Sequence, residues 1–272
     1  MERRAFLMTA AAALACGGNA GAAPGRRPLG LGIQLYTLRG EMQRDLEATL
    51  ARVAGIGYRE VEFAGYFGRS PQAIRTVLDA NGLSAPAAHA GLDLLGEQWD
   101  ATLEAATQIG HRYLIVPWIP EQQRSLDGYR QVAQQLNRAG QRARTAGITL
   151  GYHNHAFEFE RTDGQVPFDL LIAETDPASV VLELDVFWTA KGGADPLAYI
   201  TQNPGRVRLI HAKDMDAGGN MTDVGKGTLD FGAILRTGQQ SGLEHVFVEH
   251  DEPADPFDTA RAGYTHLRAM IS

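Results

Sequence analysis

From Leu29 onward the chain alternates between two hydrophobic patterns. Short runs rich in Val, Ile, Leu and Tyr recur at 31–37, 58–64, 84–90, 113–118, 149–155, 180–187, 207–213 and 245–251. Between them, apolar residues return every three or four positions, as at 46–56, 72–81, 99–109, 126–146 and 231–241, and most of these stretches close on a glycine. The first pattern is that of strands, and the second is that of amphipathic helices whose terminal glycine supplies the left-handed residue of a helix end. A last helix is predicted from 257 to 270. No Pro/Gly/Ser-rich linker divides the series, so the alternation predicts parallel strands joined by helices in one domain. Eight strand–helix units in roughly 245 residues suit a (β/α)8 TIM barrel, whereas an open doubly wound sheet of that length would carry fewer strands. The barrel is expected to span 29–272.

Residues 1–23 follow neither pattern. Arg3 and Arg4 precede an uncharged run at 5–15 and a small-residue end, Ala20-Gly21-Ala22-Ala23, which is the layout of a cleaved export signal. The run falls well short of the roughly 20 apolar residues a membrane-crossing helix needs, so no integral span is expected. Arg3-Arg4-Ala5-Phe6-Leu7 resembles a twin-arginine address, with an ordinary Sec signal as the alternative. The protein is therefore expected to be exported to the periplasm, with 24–28 as a short linker. Cys16, the only cysteine, lies in this segment, so the mature chain has no internal disulfide. Ala13-Leu14-Ala15-Cys16 loosely resembles a lipoprotein cleavage box, which adds a lipid anchor at Cys16 as an alternative to cleavage near Ala23. The formal charge of −7 becomes −8 once Glu2, Arg3 and Arg4 are removed. A surface of that sign lacks the attraction on which nucleic-acid binding relies, so DNA and RNA are not expected as partners.

The predicted strands are apolar until their ends, where polar and aromatic residues gather: Gln34 and Tyr36, Glu62, His89, Trp118, His153 and His155, Asp185, His211 and Lys213, Glu249 and Asp251. In such barrels the catalytic groups come from the C-terminal strand ends. His153, Asp185, His211 and Glu249 lie 32, 26 and 38 residues apart, each about one strand–helix unit. Four consecutive strands would each contribute one ligand to a divalent ion. Imidazole and carboxylate donors without thiolate suit Mn, Zn, Co or Fe(II). Taken singly, a strand-end Asp caps the next helix and a lone His is a hydrogen-bonded core residue; it is the repetition in register that points to metal.

These residues sit in motifs that resemble the xylose isomerase-like TIM-barrel superfamily, the sugar phosphate isomerase/epimerase group, and within it an exported branch that includes keto-glycoside lyases. The resemblance is carried by Gly32-Ile33-Gln34-Leu35-Tyr36-Thr37-Leu38-Arg39, His153-Asn154-His155, Leu184-Asp185-Val186-Phe187-Trp188, His211-Ala212-Lys213-Asp214, the segment Val224 to Phe231, and Val248-Glu249-His250-Asp251. It implies one divalent metal held at strands five to eight by Glu, Asp, His and Glu, the last three falling on Asp185, His211 and Glu249. Two departures stand out. His153 occupies the place of the first Glu, and Trp188 replaces the His that follows the strand-six Asp. His155 is two residues past His153 and so would share its face of a continued strand, which leaves either as the ligand.

The expected catalytic set is Glu249, Glu158, Lys213 and His155, with Glu158 or Glu160 reaching over the site as a base. A solvated loop is the bland alternative for those two glutamates, and an ion pair with Glu249 or Asp251 is that for Lys213. Gln34, Tyr36, Glu62, His89, Trp118 and Trp188 are the expected substrate contacts, the aromatic ones offering flat surfaces to a carbohydrate ring. Gly225-Lys226-Gly227 is a weak phosphate-loop candidate. The expected activity is proton abstraction next to a carbonyl of a sugar or 3-keto-glycoside, leading to β-elimination or hydration. Isomerisation or epimerisation is the alternative, and a non-catalytic carbohydrate-binding barrel is the third. A metal-dependent endonuclease shares the fold but is disfavoured by the charge.

Overall fold

The computed structural model describes residues 28–271. Residues 1–23, which carry the expectations of export, cleavage and a lipid anchor at Cys16, lie outside the described residues. Eight parallel strands close a barrel: β1 (Gly30–Gln34), β2 (Glu60–Phe63), β3 (Ser84–His89), β4 (Tyr113–Val116), β5 (Thr149–His153), β6 (Val180–Asp185), β7 (Val207–Ala212) and β10 (His245–Val248). Each pairs with its neighbour in sequence and β10 closes onto β1, with Gly32 opposite Phe247. Between β7 and β10 the chain inserts an antiparallel hairpin, β8 (Asp214–Met215) and β9 (Met221–Thr222). The helices around the barrel are α1 (Arg39–Arg44), α2 (Leu46–Ile56), α3 (Pro71–Ala80), α4 (Trp99–Ile109), α5 (Leu126–Thr145), α6 (Pro167–Glu174), α7 (Val186–Lys191), α8 (Pro196–Gln202), α9 (Phe231–Ser241) and α10 (Pro256–Ile271). Among the described residues no helix is long and apolar enough to cross a membrane.

Local chemistry sets these boundaries. Asp45, Ser70, Ser125 and Asp230 accept a hydrogen bond from a first-turn backbone N–H of α2, α3, α5 and α9, satisfying a donor that the helix leaves free. Gly110 and Gly242 end α4 and α9 in the left-handed region. The short helices α1, α7 and α8 give too little sequence for a helical period to show. The predicted strands run one to three residues too far at their C-terminal ends. There the chain turns at once: the Gln34 side chain accepts from Tyr36 N to start a 3-10 turn, and Asp185 caps α7 directly.

The apolar core has two parts. A large cluster lies between strands and helices, and a smaller one, Ala87, Tyr113, Ile115, Val181, Leu209 and Phe247, fills the barrel. Close strand approach there requires Gly32, whose added Cβ would meet the Phe247 ring at 2.5 Å. Towards the C-terminal ends the buried side chains become polar: Glu62, His153, Glu183, Asp185 and His211.

Candidate active site

β6 is buried along its whole length yet carries two carboxylates, Glu183 and Asp185. A carboxylate in such surroundings needs partners, and neighbouring basic side chains supply them, two histidines first. His211, on β7, puts Nε2 at 2.6 Å from Glu62 Oε2 and 3.1 Å from Glu183 Oε2, and Nδ1 at 2.6 Å from Glu249 Oε2. His153, at the end of β5, places Nδ1 3.5 Å from Glu183 Oε2 and Nε2 3.9 Å from Asp185 Oδ2. Both imidazoles thus face a deep carboxylate with one nitrogen and the mouth of the barrel with the other.

Lys213, just past β7, is fully buried. Its ammonium lies 3.0 Å from Asp185 Oδ2, 2.9 Å from Glu249 Oε2 and 2.7 Å from Asp251 Oδ1. Burial alone would lower its pKa, but these three carboxylates outweigh it and hold the amine charged. Burial likewise opposes ionisation of Glu249, and Lys213 and His211 overcome it, so the carboxyl stays well below its usual range. Asp185 is pushed up to about 6 by burial, against the pull of Lys213. Deeper in, burial and the neighbouring Glu183 charge raise Glu62 to about 7; Glu183 overcomes its own burial chiefly through the His211 charge, with His153 and His89 close by, and is held well below the usual carboxylate range. His153 is lowered to about 3, first by burial and then by the His211 charge, so it is a neutral imidazole.

The donor atoms form two groups that share His211: His153, Asp185 and His211, and below them Glu62, His89, Glu183 and His211. The lower group is tightest at His211, 2.6 Å from Glu62 and 3.1 Å from Glu183, while His89 stands 3.4 Å from Glu183 and 3.6 Å from Glu62. The upper group fits a divalent ion. Glu249, the fourth expected ligand, lies outside that group of three but against it, 2.6 Å from His211 Nδ1; Asp185 Oδ2, His211 Nδ1 and Glu249 Oε2 are all buried and held by ionic contact rather than by hydrogen bonds. Each histidine is backed on its far nitrogen by a carboxylate, the arrangement that fixes ring orientation in metal sites. Three carboxylates around one ammonium also leave a negative balance that a divalent cation neutralises.

Above this floor opens a cavity of about 680 Å3, in the range of small-molecule sites. His89, His153, His155, Lys213, Glu249 and Asp251 line its polar part; Tyr36, Trp118 and Trp188 line its apolar part. The His155 ring packs against Trp118 at 4.8 Å, Phe157 at 5.6 Å and Trp188 at 5.7 Å, and Arg124 covers Phe157 at 3.5 Å.

Not every expected residue reaches the cavity. Gln34 and Glu62 lie outside its lining: Gln34 Nε2 is 3.2 Å from His89 Nε2, and Glu62 backs His211. Glu158 also lies outside it, and neither the base nor the solvated-loop expectation describes it: it is completely buried, accepting from the Tyr152 hydroxyl and, at 2.7 Å, from His155 N. Burial pushes its pKa up to about 8. Glu160 is the glutamate of that loop that lines the cavity. His155 does not continue a strand, because β5 ends at His153 and Asn154 turns to bond Asp185 N and the Thr189 hydroxyl. The weak phosphate loop is filled from within: Asp214 Oδ2 accepts from Gly225 N and Gly227 N, both at 2.9 Å, and Lys226 pairs with Asp223. Glu183 is not among the expected residues, because it lies inside the strand rather than at its end. Its signal was a lone acid inside the run Val180-Val181-Leu182-Glu183-Leu184.

A closed eight-strand barrel with a polar cluster at the C-terminal strand ends defines the class, and the comparisons agree. Residues 50–270 match the profile of the family described as "Xylose isomerase-like TIM barrel". The chain belongs to that family. It is 27% identical over 271 residues to an inosose dehydratase from Lacticaseibacillus casei, covering 83% of this chain and 88% of that protein. Among solved structures, a sugar phosphate isomerase/epimerase from Parabacteroides distasonis ATCC 8503 superposes with a TM-score of 0.78 at 25% identity, covering 92% of this chain and 96% of that one. The IolI protein with a zinc atom bound shares the fold with a TM-score of 0.67 at 16% identity, covering 90% of this chain and 98% of that chain.

Proposed function

We propose that this protein is a divalent-metal-dependent lyase that removes a proton next to the ketone of a keto-sugar or cyclic polyol and expels the oxygen substituent of the adjacent carbon. The observation that carries the reading is the asymmetry of the barrel mouth. An epimerase working from both faces needs a base on each, and here the strand-five position holds a buried neutral imidazole, His153, while the ionised carboxylate Glu249 lines the cavity on the other side. His153, Asp185, His211 and Glu249 would hold the ion, which when bound supplies Lewis-acid polarisation of the carbonyl. Glu249 takes the proton from carbon. The electron pair left behind forms the carbon–carbon double bond as the carbon–oxygen bond breaks, and the proton returns to the departing oxygen. Lys213, fixed beside Glu249, stabilises negative charge developing on the carbonyl oxygen. Tyr36, Trp118 and Trp188 present faces to the ring. The inosose dehydratase relatives support elimination, and the zinc-bound IolI structure, which shares the fold, supports a bound metal.

The second reading is isomerisation or epimerisation, favoured by the Parabacteroides structure. Turnover in deuterated water separates the two. Elimination gives an unsaturated ketone with water or an alcohol released, whereas an intact sugar inverted at one carbon and carrying deuterium there would overturn it. We further propose export to the periplasm; N-terminal sequencing from the native host should find the chain starting near Ala23, or at a lipidated Cys16, and an intact Met1 on active cytoplasmic protein would exclude it.

A further inference from the structure

Beside the main cavity lies a second, smaller one of about 430 Å3. Phe187, Trp188 and Met221 give it an apolar wall, and it shares Trp188, Asp251 and Glu252 with the main cavity. Nothing in the chemistry above uses it.

This space is held in shape by specific contacts. Lys191 Nζ donates to Gly219 O at 2.6 Å and pins the hairpin β8–β9 to α7. Asp216 Oδ1 fixes the hairpin turn by accepting from Gly218 N and Asn220 N, each at 2.8 Å. Asp251 joins the two cavities: its N–H donates to Met221 Sδ at 3.2 Å while its carboxylate holds Lys213 at 2.7 Å. Trp188 is the aromatic residue that lines both cavities.

We propose that the smaller cavity is a subsite for a flat, apolar group carried by the sugar, so that the substrate class is an aryl keto-glycoside whose leaving alcohol is aromatic. The proposal rests on the elimination reading of the main cavity and narrows it. The sugar occupies the larger space over Glu249 and Lys213. The aryl group crosses the shared wall and packs on Trp188, Phe187 and the soft Met221 side chain, surfaces suited to aromatic rings.

The test compares binding of phenyl β-glucoside and methyl β-glucoside by calorimetry to the full-length protein and to the filled variants Met221→Trp and Asn220→Trp, with circular dichroism to confirm folding. Turnover of the two 3-keto derivatives is followed in parallel. The phenyl glycoside should bind about tenfold more tightly than the methyl one to the wild type, the stacking contribution of one aromatic group, and the ratio should fall towards one in a filled variant that folds. Equal affinity in the wild type, including no detectable binding of either, overturns the subsite, as does a phenyl advantage that survives filling. Elimination without a phenyl advantage would leave the lyase reading standing and remove only the subsite. A phenyl advantage lost on filling, without elimination, would keep the subsite and remove the lyase reading.

Discussion

The two ends of the barrel offer cavities of almost the same size, about 680 Å3 at the C-terminal mouth and 700 Å3 at the N-terminal end, and they could hardly differ more in chemistry. At the N-terminal end charges are matched and partly solvated: Arg208 meets Glu244 at 2.5 Å, His245 meets Glu60 at 2.7 Å, and Arg112 lies against both Glu244 and His245. At the mouth acids outnumber bases and are buried. Among the described residues, the buried side-chain atoms without a hydrogen bond all belong to the mouth except Arg75 Nε and Arg206 Nε. Volume therefore does not find the site. Unsatisfied polar groups do, because a fold tolerates them only where something else completes them.

Substitutions can break this contrast, and the largest effect is expected at the proposed ligands. Asp185→Ala or His211→Ala should remove stoichiometric metal, read by elemental analysis, and lower turnover by several kcal/mol of transition-state stabilisation, roughly a thousandfold. Full metal content in the double variant would show that the ligands are others. Glu183→Gln should weaken metal affinity by about ten- to a hundredfold, since it backs both histidines without touching the ion. Titration with a chelator measures this, and unchanged affinity would reduce Glu183 to a structural acid.

Smaller still is a pH effect at Glu158. Its folded pKa of about 8 lies above the unfolded carboxyl value of 4.5, so the protonated folded state is favoured. The stability it contributes is complete below about pH 4.5 and is lost as pH rises through about 8, on the order of 2–4 kcal/mol. Glu158→Gln can offer its amide to the Tyr152 oxygen and its carbonyl to His155 N, so its thermal midpoint should fall less than that of the wild type between pH 5 and 9. Parallel curves would show that Glu158 does not titrate there. The smallest effect belongs to the other end: Glu244→Gln, breaking a partly exposed pair, should cost about 0–1 kcal/mol by urea denaturation and leave turnover unchanged.

The barrel was legible because alternating strand and helix patterns are set by burial, which the sequence prints directly. The four proposed ligands were legible because each ends an apolar run one unit after the last. What lies beneath them was less so. Glu183 reads as one acid within an apolar strand until β5, β6 and β7 are placed side by side and His153 and His211 appear on it. Glu158 reads as a loop acid; only the turn made by Asn154 folds it under His155. His155 itself was placed by strand alternation that stops two residues earlier.

Asp185 does two things with two oxygens: Oδ1 accepts from Trp188 N at 2.8 Å and starts α7, while Oδ2 meets Lys213 in the site. This makes position 185 a poor place for evolutionary drift. A replacement must supply both an anion against Lys213 and a helix start, and of the common residues only Asp is short enough and charged enough for both. His153 has no such second duty on the backbone, so strand five is where a lineage can exchange one donor for another and try a new reaction. His153, where the family resemblance implies a glutamate, is that freer position, and the indole that the Asp185 cap orients lines the same cavity.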